Sequence, residues 1–513
     1  MREMLARSVA RYSDRCALVG PEASYSYRQL EREVERAAGG LHQLGVGARD
    51  RVACALPNRA QSVVSFLAVL RLGAVWVGLP KMLAAKELDF ILGDCTPAVF
   101  LTGPGTRDKL GGSATKTSSV RRVLTVAPGM PGDEWEELLS RASDPPSVRV
   151  DPWAPAAIAY TSGTTGFPKG ATHSQLGLVL PAMVLLSEGL AHPGWRYGVC
   201  LPLTQLTLMV SSCLLALQAG GTAVVAERME PADLSRWISR EQVNSMAVVP
   251  TLLRGLLDCK EVSERDLSSL RELHVGGADC SSELRERFSQ RFGIRPTVRY
   301  GMTEVPTVVA VELPGERLPD GAVGRPLPHL RVHILDRDEA SQPVGVSGQV
   351  CVGAASDGSW AGAYPPMLGY WGRAPESRLK LSGGLLHTGD LGHLDSNGLL
   401  HLEGRLDDVV IRAGSNVSPA EIERVLVEAP EVEACAVLGL PDARLGQRIV
   451  AAVSLHPGTT TSESALLERC RRNLAAYKVP EEVRLLSALP LNAIGKVDKR
   501  ALRGLLSAAA TLE

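Results

Sequence analysis

Tyr160-Thr161-Ser162-Gly163-Thr164-Thr165-Gly166-Phe167-Pro168-Lys169-Gly170-Ala171 is the stretch on which the reading of this chain turns. The apolar run Ala156-Ala157-Ile158-Ala159 before it reads as a buried strand. After it, Thr172-His173-Ser174 reads as polar capping ahead of an apolar helix over 176–186. Glycines let a backbone turn its N–H groups toward an anion, hydroxyls donate further hydrogen bonds, and a lysine adds a mobile positive charge. The stretch therefore has the composition of a phosphate cradle. It is not the common P-loop, which places Ser or Thr after its Gly-Lys pair; here Pro168 precedes Lys169 and Gly170 follows it.

Length and composition narrow the function classes. A chain of 513 residues exceeds one compact core, so two or more domains are expected. A formal charge of -1 offers no basic field to hold a nucleic-acid backbone or an anionic membrane. The ten cysteines form no C-x-x-C pair and the histidines do not cluster, which points away from a disulfide framework and a zinc site. Reduced cysteines and the lack of a signal-peptide pattern at residues 1–15 imply a cytoplasmic protein. The uncharged stretch 206–226 approaches a membrane span in length. Gln218 and Gly220-Gly221 divide it into a helix and a strand.

Residues 1–150 alternate helices and strands, with a helix through Leu41, a strand near 51–53, a helix at 62–72, a strand at 74–79 and a helix at 87–93. That alternation predicts α/β architecture with doubly wound, largely parallel sheets. Segment 102–119, rich in Gly, Ser, Thr and Lys, reads as a loop. The alternation resumes with a helix at 206–217, strands at 222–226 and 245–249, and a strand at 273–277 ending in paired glycines. Beyond Gly321 short strands broken by Gly and Pro predict a small β-barrel or distorted sheet. After Gly404-Arg405-Leu406-Asp407-Asp408 comes a smaller α+β domain of about a hundred residues.

Four further stretches carry chemistry suited to one nucleotide. Tyr300-Gly301-Met302-Thr303-Glu304 falls where a strand ends, the usual place for ligands in an α/β sheet; the alternative is a helix cap. Its tyrosine can stack on a purine, its threonine can bond a phosphate, and Glu304 is a hard oxygen ligand for Mg²⁺. Thr388-Gly389-Asp390 reads as a turn bearing a carboxylate that can accept two ribose hydroxyls, or as an Asx-turn. Gly404-Arg405 supplies a fixed cation before a polar joint, or a charged hairpin. Gly495-Lys496-Val497 presents one lysine on a glycine-flexed loop.

In order and spacing these five stretches resemble the adenylate-forming superfamily, which includes acyl-CoA synthetases, peptide-synthetase adenylation domains and luciferases. Supporting pieces are Val249-Pro250-Thr251, Gly276-Gly277-Ala278, Gly324-Arg325-Pro326, Gly369-Tyr370-Trp371 and Ser418-Pro419-Ala420-Glu421. The resemblance covers nearly the whole chain. It implies an N-terminal core over 1–404, a hinge at 405–408 and a mobile C-terminal domain over 409–513. It also implies use of ATP, Mg²⁺ and CoA. Thr161, Ser162, Gly163, Thr164, Thr165 and Lys169 match the loop that orders the β- and γ-phosphates. Gly277, Ala278, Tyr300 and Gly301 match the adenine site, Thr303 the α-phosphate contact and Glu304 the Mg²⁺ ligand. Asp390 and Arg405 match the ribose contacts. Lys496 matches the lysine that bridges the attacking carboxylate and the α-phosphate, and Asp407 takes the hinge position. Ala476-Tyr477-Lys478 and Gly414-Ser415-Asn416 resemble segments lining the thiol tunnel.

Three departures bear on substrate. Many members carry a histidine where this chain has Gln205, which can hydrogen-bond a carboxylate but cannot titrate. Asp279 follows Gly276-Gly277-Ala278 where proline is usual, and Lys81 follows Leu79-Pro80. The expected function is activation of a carboxylic acid as its acyl-adenylate, then transfer to CoA, with an aryl or aryl-acrylic acid preferred and Asp279 as an amine partner. Alternatives are carrier-protein loading, amide formation, ATP-dependent nitrite activation that diazotises an aryl amine, or a nucleotide-binding pseudoenzyme.

Overall fold

The computed structural model describes residues 1–81, 83–110, 120–161, 168–227, 229–278, 280–412, 415–442, 444–491 and 497–509. Two compact units divide the chain. One is Met1–Val332 with Val352–His387, the other His333–Cys351 with Thr388–Glu513. The α/β architecture holds in the first unit, built on two sheets. In one the strands run in the order Gly369–Tyr370, Lys169–Ser174, Pro155–Thr161, Val75–Gly78, Arg51–Ala55, Val99–Thr102, Arg122–Thr125. From Pro155–Thr161 onward they pair in parallel. Strands Val75–Gly78 and Val99–Thr102 are buried throughout, so they read as continuous apolar runs rather than alternating ones. In the other sheet Arg196–Val199, Ser245–Val248, Glu272–Val275 and Thr297–Met302 lie parallel, and Val305–Val311 returns antiparallel on the last of them.

Two local readings are corrected. Segment 102–119 is not a uniform loop: Pro104–Leu110 is helical, with proline at the helix start where its missing N–H costs nothing. Residues 111–119 lie outside the described residues. Thr172-His173-Ser174 is not a capping segment alone, because Lys169–Ser174 is a strand, antiparallel to Pro155–Thr161, with Ala159 opposite Ala171. Only Ser174 caps, accepting from Gly177 N at 3.1 Å ahead of helix Gln175–Ser187. Ala171 and β-branched Thr172 suit a pleated, buried strand, and tertiary pairing prevails over the cap signal. The two strands that flank the organising stretch are therefore antiparallel neighbours, and residues 162–167 between them lie outside the described residues.

The 206–226 stretch divides as expected, into a helical run from Leu206 to Gln218 and the strand Thr222–Val225. The run contains a π-helical turn over Met209–Leu214, a wide turn often found beside functional sites. Among the described residues no helix is long and apolar enough to cross a membrane. In the second unit Leu386–Leu394 and Leu400–Arg405 pair antiparallel. A five-stranded sheet follows, Ser415–Val417, Val410–Arg412, Gly446–Leu455 and Val432–Asp442, with Glu482–Leu485 also on Gly446–Leu455. Its core gathers Val410, Ile422, Leu426, Val437, Ile449 and Leu466.

Candidate active site

In the first unit Thr161 and Lys169 face each other across the ladder at the base of the phosphate-loop hairpin. Ser162, Gly163, Thr164 and Thr165 lie outside the described residues. Beneath the hairpin, Tyr160 Oη donates to Asp94 Oδ2 at 2.6 Å, and Arg373 Nη2 donates to Asp94 Oδ1 at 3.1 Å. Burial, with the neighbouring Cys95 and Asp94, raises the Tyr160 hydroxyl far above its usual range, so it stays a donor. On the other side of Lys169–Ser174 runs Gly369–Tyr370, with Tyr370 opposite Ala171. The Tyr370 ring carries Lys169 Nζ 5.7 Å from its centroid.

Parallel strands bring the next group together. Val275 pairs with Val298, so Gly276-Gly277-Ala278 leave the sheet at the carboxyl end of their strand, beside the strand Thr297–Met302 that carries Tyr300-Gly301. A Cβ on Gly276 would lie 2.8 Å from the Arg299 carbonyl oxygen, and Gly277 has φ +83°. One glycine permits the close approach, the next the left-handed turn. Asp279 lies outside the described residues. The helix-cap alternative for Tyr300–Glu304 is overturned. Thr297–Met302 and Val305–Val311 form a hairpin whose turn is Thr303-Glu304.

Glu304 is buried, and its Oε1 accepts from Tyr370 Oη at 2.9 Å; its Oε2 has no hydrogen bond among the described residues. Among the described residues no three His, Cys, Asp or Glu side chains gather into a metal site. One carboxylate with a spare oxygen fits Mg²⁺ held jointly with phosphates, which does not need an all-protein cage. Behind the hairpin, buried Glu312 accepts from Val298 N at 2.9 Å and Arg285 Nη1 at 2.8 Å, and pairs with Arg295. It anchors the strand that carries Tyr300. His173, on the strand of Lys169, is fully buried with Nε2 unpartnered. Burial lowers its pKa to about 4, against a hydrogen bond to the Thr303 main chain. Gln205 stands at the start of the π-containing helix, and its side chain bonds no described residue. Lys81 sits on the surface, 3.7 Å from Glu227.

In the second unit the expected turn at Thr388-Gly389-Asp390 is instead the middle of strand Leu386–Leu394. The Thr388 hydroxyl donates to Val350 O at 2.6 Å and accepts from Asp390 N at 3.0 Å, across Gly389, whose φ of +81° puts a local left-handed kink inside the strand. Asp390 stands directly opposite Arg405, whose Nη1 donates to Asp390 Oδ1 at 2.7 Å. Leu406–Asp408 then forms a short 3₁₀ turn. Asp408 accepts from Lys499 Nζ at 2.9 Å. Lys496 lies outside the described residues, with Leu491 and Val497 bridged antiparallel on either side of it. Gly414 also lies outside them, while Ser415–Val417 is a strand. Lys478 is fixed by both carboxylate oxygens of Glu421 at 2.7 Å. Sequence reasoning gave Gly369-Tyr370-Trp371 no role, because its contact with Glu304 joins residues 66 apart.

Comparison with known proteins fits this geometry. The family model described as AMP-binding enzyme matches residues 5–364, and that of the AMP-binding enzyme C-terminal domain matches residues 421–496. The chain is 31% identical over 510 residues to indoleacetate–CoA ligase of Aromatoleum aromaticum, covering 99% of this chain and 98% of that one. It is 32% identical over 479 residues to feruloyl-CoA synthase of an Amycolatopsis species, covering 93% of each. The ATP-bound crystal structure of MatB from Rhodopseudomonas palustris superposes with a TM-score of 0.89 at 28% identity, covering 98% of each chain.

Proposed function

Because this chain belongs to the AMP-binding enzyme family of the adenylate-forming superfamily, we propose that it activates an aryl or aryl-acrylic acid and passes the acyl group to CoA. It is an ATP-dependent, AMP-forming ligase. The observation that carries the acid and the acceptor is similarity along nearly the full length to ligases named for indoleacetate and ferulate. The reaction takes place on a small-molecule acid in the cytoplasm, with no nucleic acid or membrane involved.

In the first step a carboxylate oxygen attacks the α-phosphorus and the bond to pyrophosphate breaks. Both reactants are anions, so the chain must supply positive charge and oriented donors as the in-line transition state forms. Thr161, Ser162, Gly163, Thr164, Thr165 and Lys169 hold the β- and γ-phosphates, and Thr303 the α-phosphate. Gly277, Ala278, Tyr300 and Gly301 seat the adenine, while Asp390, oriented by Arg405, accepts the ribose hydroxyls. Glu304 would hold Mg²⁺, which when bound offsets phosphate charge. Lys496 bridges the two reacting groups, and Gln205 offers the acid an uncharged amide. In the second step the CoA sulfur attacks the acyl carbon and AMP leaves. Lys496 must withdraw for the thiol to approach, and Asp407 is the pivot between the core, 1–404, and the C-terminal domain, 409–513.

The test is a panel of aryl, amino-aryl and fatty acids, and nitrite with an aryl amine, each run with and without CoA. Pyrophosphate release and thioester mass are read. Aryl acids should release pyrophosphate and yield a thioester only with CoA. A preference for fatty acids would remove the aryl reading, and CoA-independent turnover needing nitrite and an amine would replace the thioester.

A further inference from the structure

Tyr370 touches both oppositely charged groups of the phosphate-facing edge. Its hydroxyl donates to Glu304 Oε1 at 2.9 Å, and its ring face carries the Lys169 ammonium at 5.7 Å. Those partners come from stretches 135 positions apart in sequence, on two different sheets. An ammonium and a carboxylate that both contact one side chain attract each other. Among the described residues Lys169 makes no ion pair, and its charge rests against the ring, an arrangement the π-face stabilises.

The residue itself is held on every side. Leu368 N donates to Thr172 O at 2.7 Å and Trp371 N to Gly170 O at 2.8 Å, which pins Gly369–Tyr370 to the strand of Lys169. Tyr370 N donates to Ser377 Oγ at 2.8 Å. Gly369 has φ +122°, and a Cβ there would lie 2.9 Å from the same Ser377 oxygen. A strand of two residues would not stay in register through two backbone bonds alone, so these contacts fix where the ring stands.

We propose that Tyr370 is a positioning residue that keeps Lys169 and Glu304 apart and pre-aimed, the lysine for phosphate and the free carboxylate oxygen for the divalent cation. The hydroxyl fixes the Glu304 rotamer by occupying Oε1, and the ring blocks collapse into a Lys169–Glu304 ion pair that would occupy both groups before nucleotide arrives. The inference rests on Glu304 as the metal ligand. Partners that orient a metal ligand typically change metal affinity by about tenfold or more.

The experiment measures Mn²⁺ binding to the full chain by electron paramagnetic resonance with a non-hydrolysable ATP analogue, and analogue binding without metal by calorimetry. Tyr370→Phe, which keeps the ring, should weaken Mn²⁺ about tenfold and leave metal-free analogue binding unchanged. Tyr370→Leu, which frees lysine and carboxylate to pair, should weaken both. In Tyr370→Leu added Glu304→Gln should restore the metal-free analogue affinity, which a merely unfolded variant would not do. Unchanged Mn²⁺ affinity in Tyr370→Phe, with Glu304→Gln impaired, would overturn the positioning role and leave the metal ligand standing. Unchanged Mn²⁺ affinity in Glu304→Gln would overturn both.

Discussion

The hairpin formed by Thr297–Met302 and Val305–Val311 holds Thr303 and Glu304 at its turn, with Tyr300 two residues before the end of its first strand. The hairpin formed by Leu386–Leu394 and Leu400–Arg405 holds Asp390 and Arg405 in the ladder, opposite each other and ion-paired. In the first, the residues stand in one contiguous motif, and Glu304 keeps an oxygen available for a ligand. In the second, two motifs 15 residues apart meet only through register, and much of the Asp390 charge is already answered by Arg405. A turn presents groups that the fold leaves unsatisfied, whereas a ladder presents a pair that already satisfies itself. The first arrangement suits groups that meet the changing charge of a reaction, the second a nucleoside that only has to be held.

That contrast orders the expected effects. Lys496→Ala, removing a cation from the reacting atoms, should slow adenylation by about 10³-fold. It should leave transfer from a preformed acyl-adenylate to CoA nearly intact; equal loss in both steps, measured separately, would take Lys496 out of this role. Glu304→Gln should cost adenylation about 10²-fold, mainly in kcat. Asp407→Pro fixes φ near −65° at the proposed pivot and should slow one half-reaction about tenfold or more while sparing the other. Full overall turnover would exclude a pivot there. Asp390→Asn keeps an acceptor and loses only charge, so KM for ATP should rise about tenfold with kcat little changed. A loss in kcat as large as that of Glu304→Gln would erase the distinction between the two hairpins.

The last expected effect concerns stability rather than turnover. Burial lowers the pKa of His173, His274 and His329 to about 4, in His274 helped by Arg299. Each would titrate at about 6.5 in the unfolded chain. Between these values the unfolded state binds more protons, so stability is full above about pH 6.5 and falls as pH drops toward 4, by about 1.4 kcal/mol per pH unit for each histidine. Melting temperature should follow that slope, and His329→Phe should flatten it in part. A flat profile over pH 4 to 6.5 would mean that these rings are not neutral in the fold.

How much was legible follows the same division. Strands buried on both faces, such as Val75–Gly78, announce themselves as apolar runs, and contiguous motifs such as Tyr300–Glu304 declare their chemistry directly. At Thr388-Gly389-Asp390 the glycine signals a turn and does take φ +81°, but pairing of Asp390 with Arg405 keeps the segment inside a strand, which only the ladder reveals. The strand Lys169–Ser174 was hidden by hydroxyl residues that also cap helices. Tyr370 was legible as part of a motif but not as a contact, since only sheet order brings it to Lys169 and Glu304.

The central claim is that this chain makes an acyl-adenylate before any thiol takes part. Exchange of labelled pyrophosphate into ATP, measured with an aryl acid and without CoA, tests it directly. Exchange should require the acid, be independent of CoA and be lost in Lys496→Ala. Absence of exchange with every acid, or cleavage of ATP to ADP and phosphate instead, would contradict it.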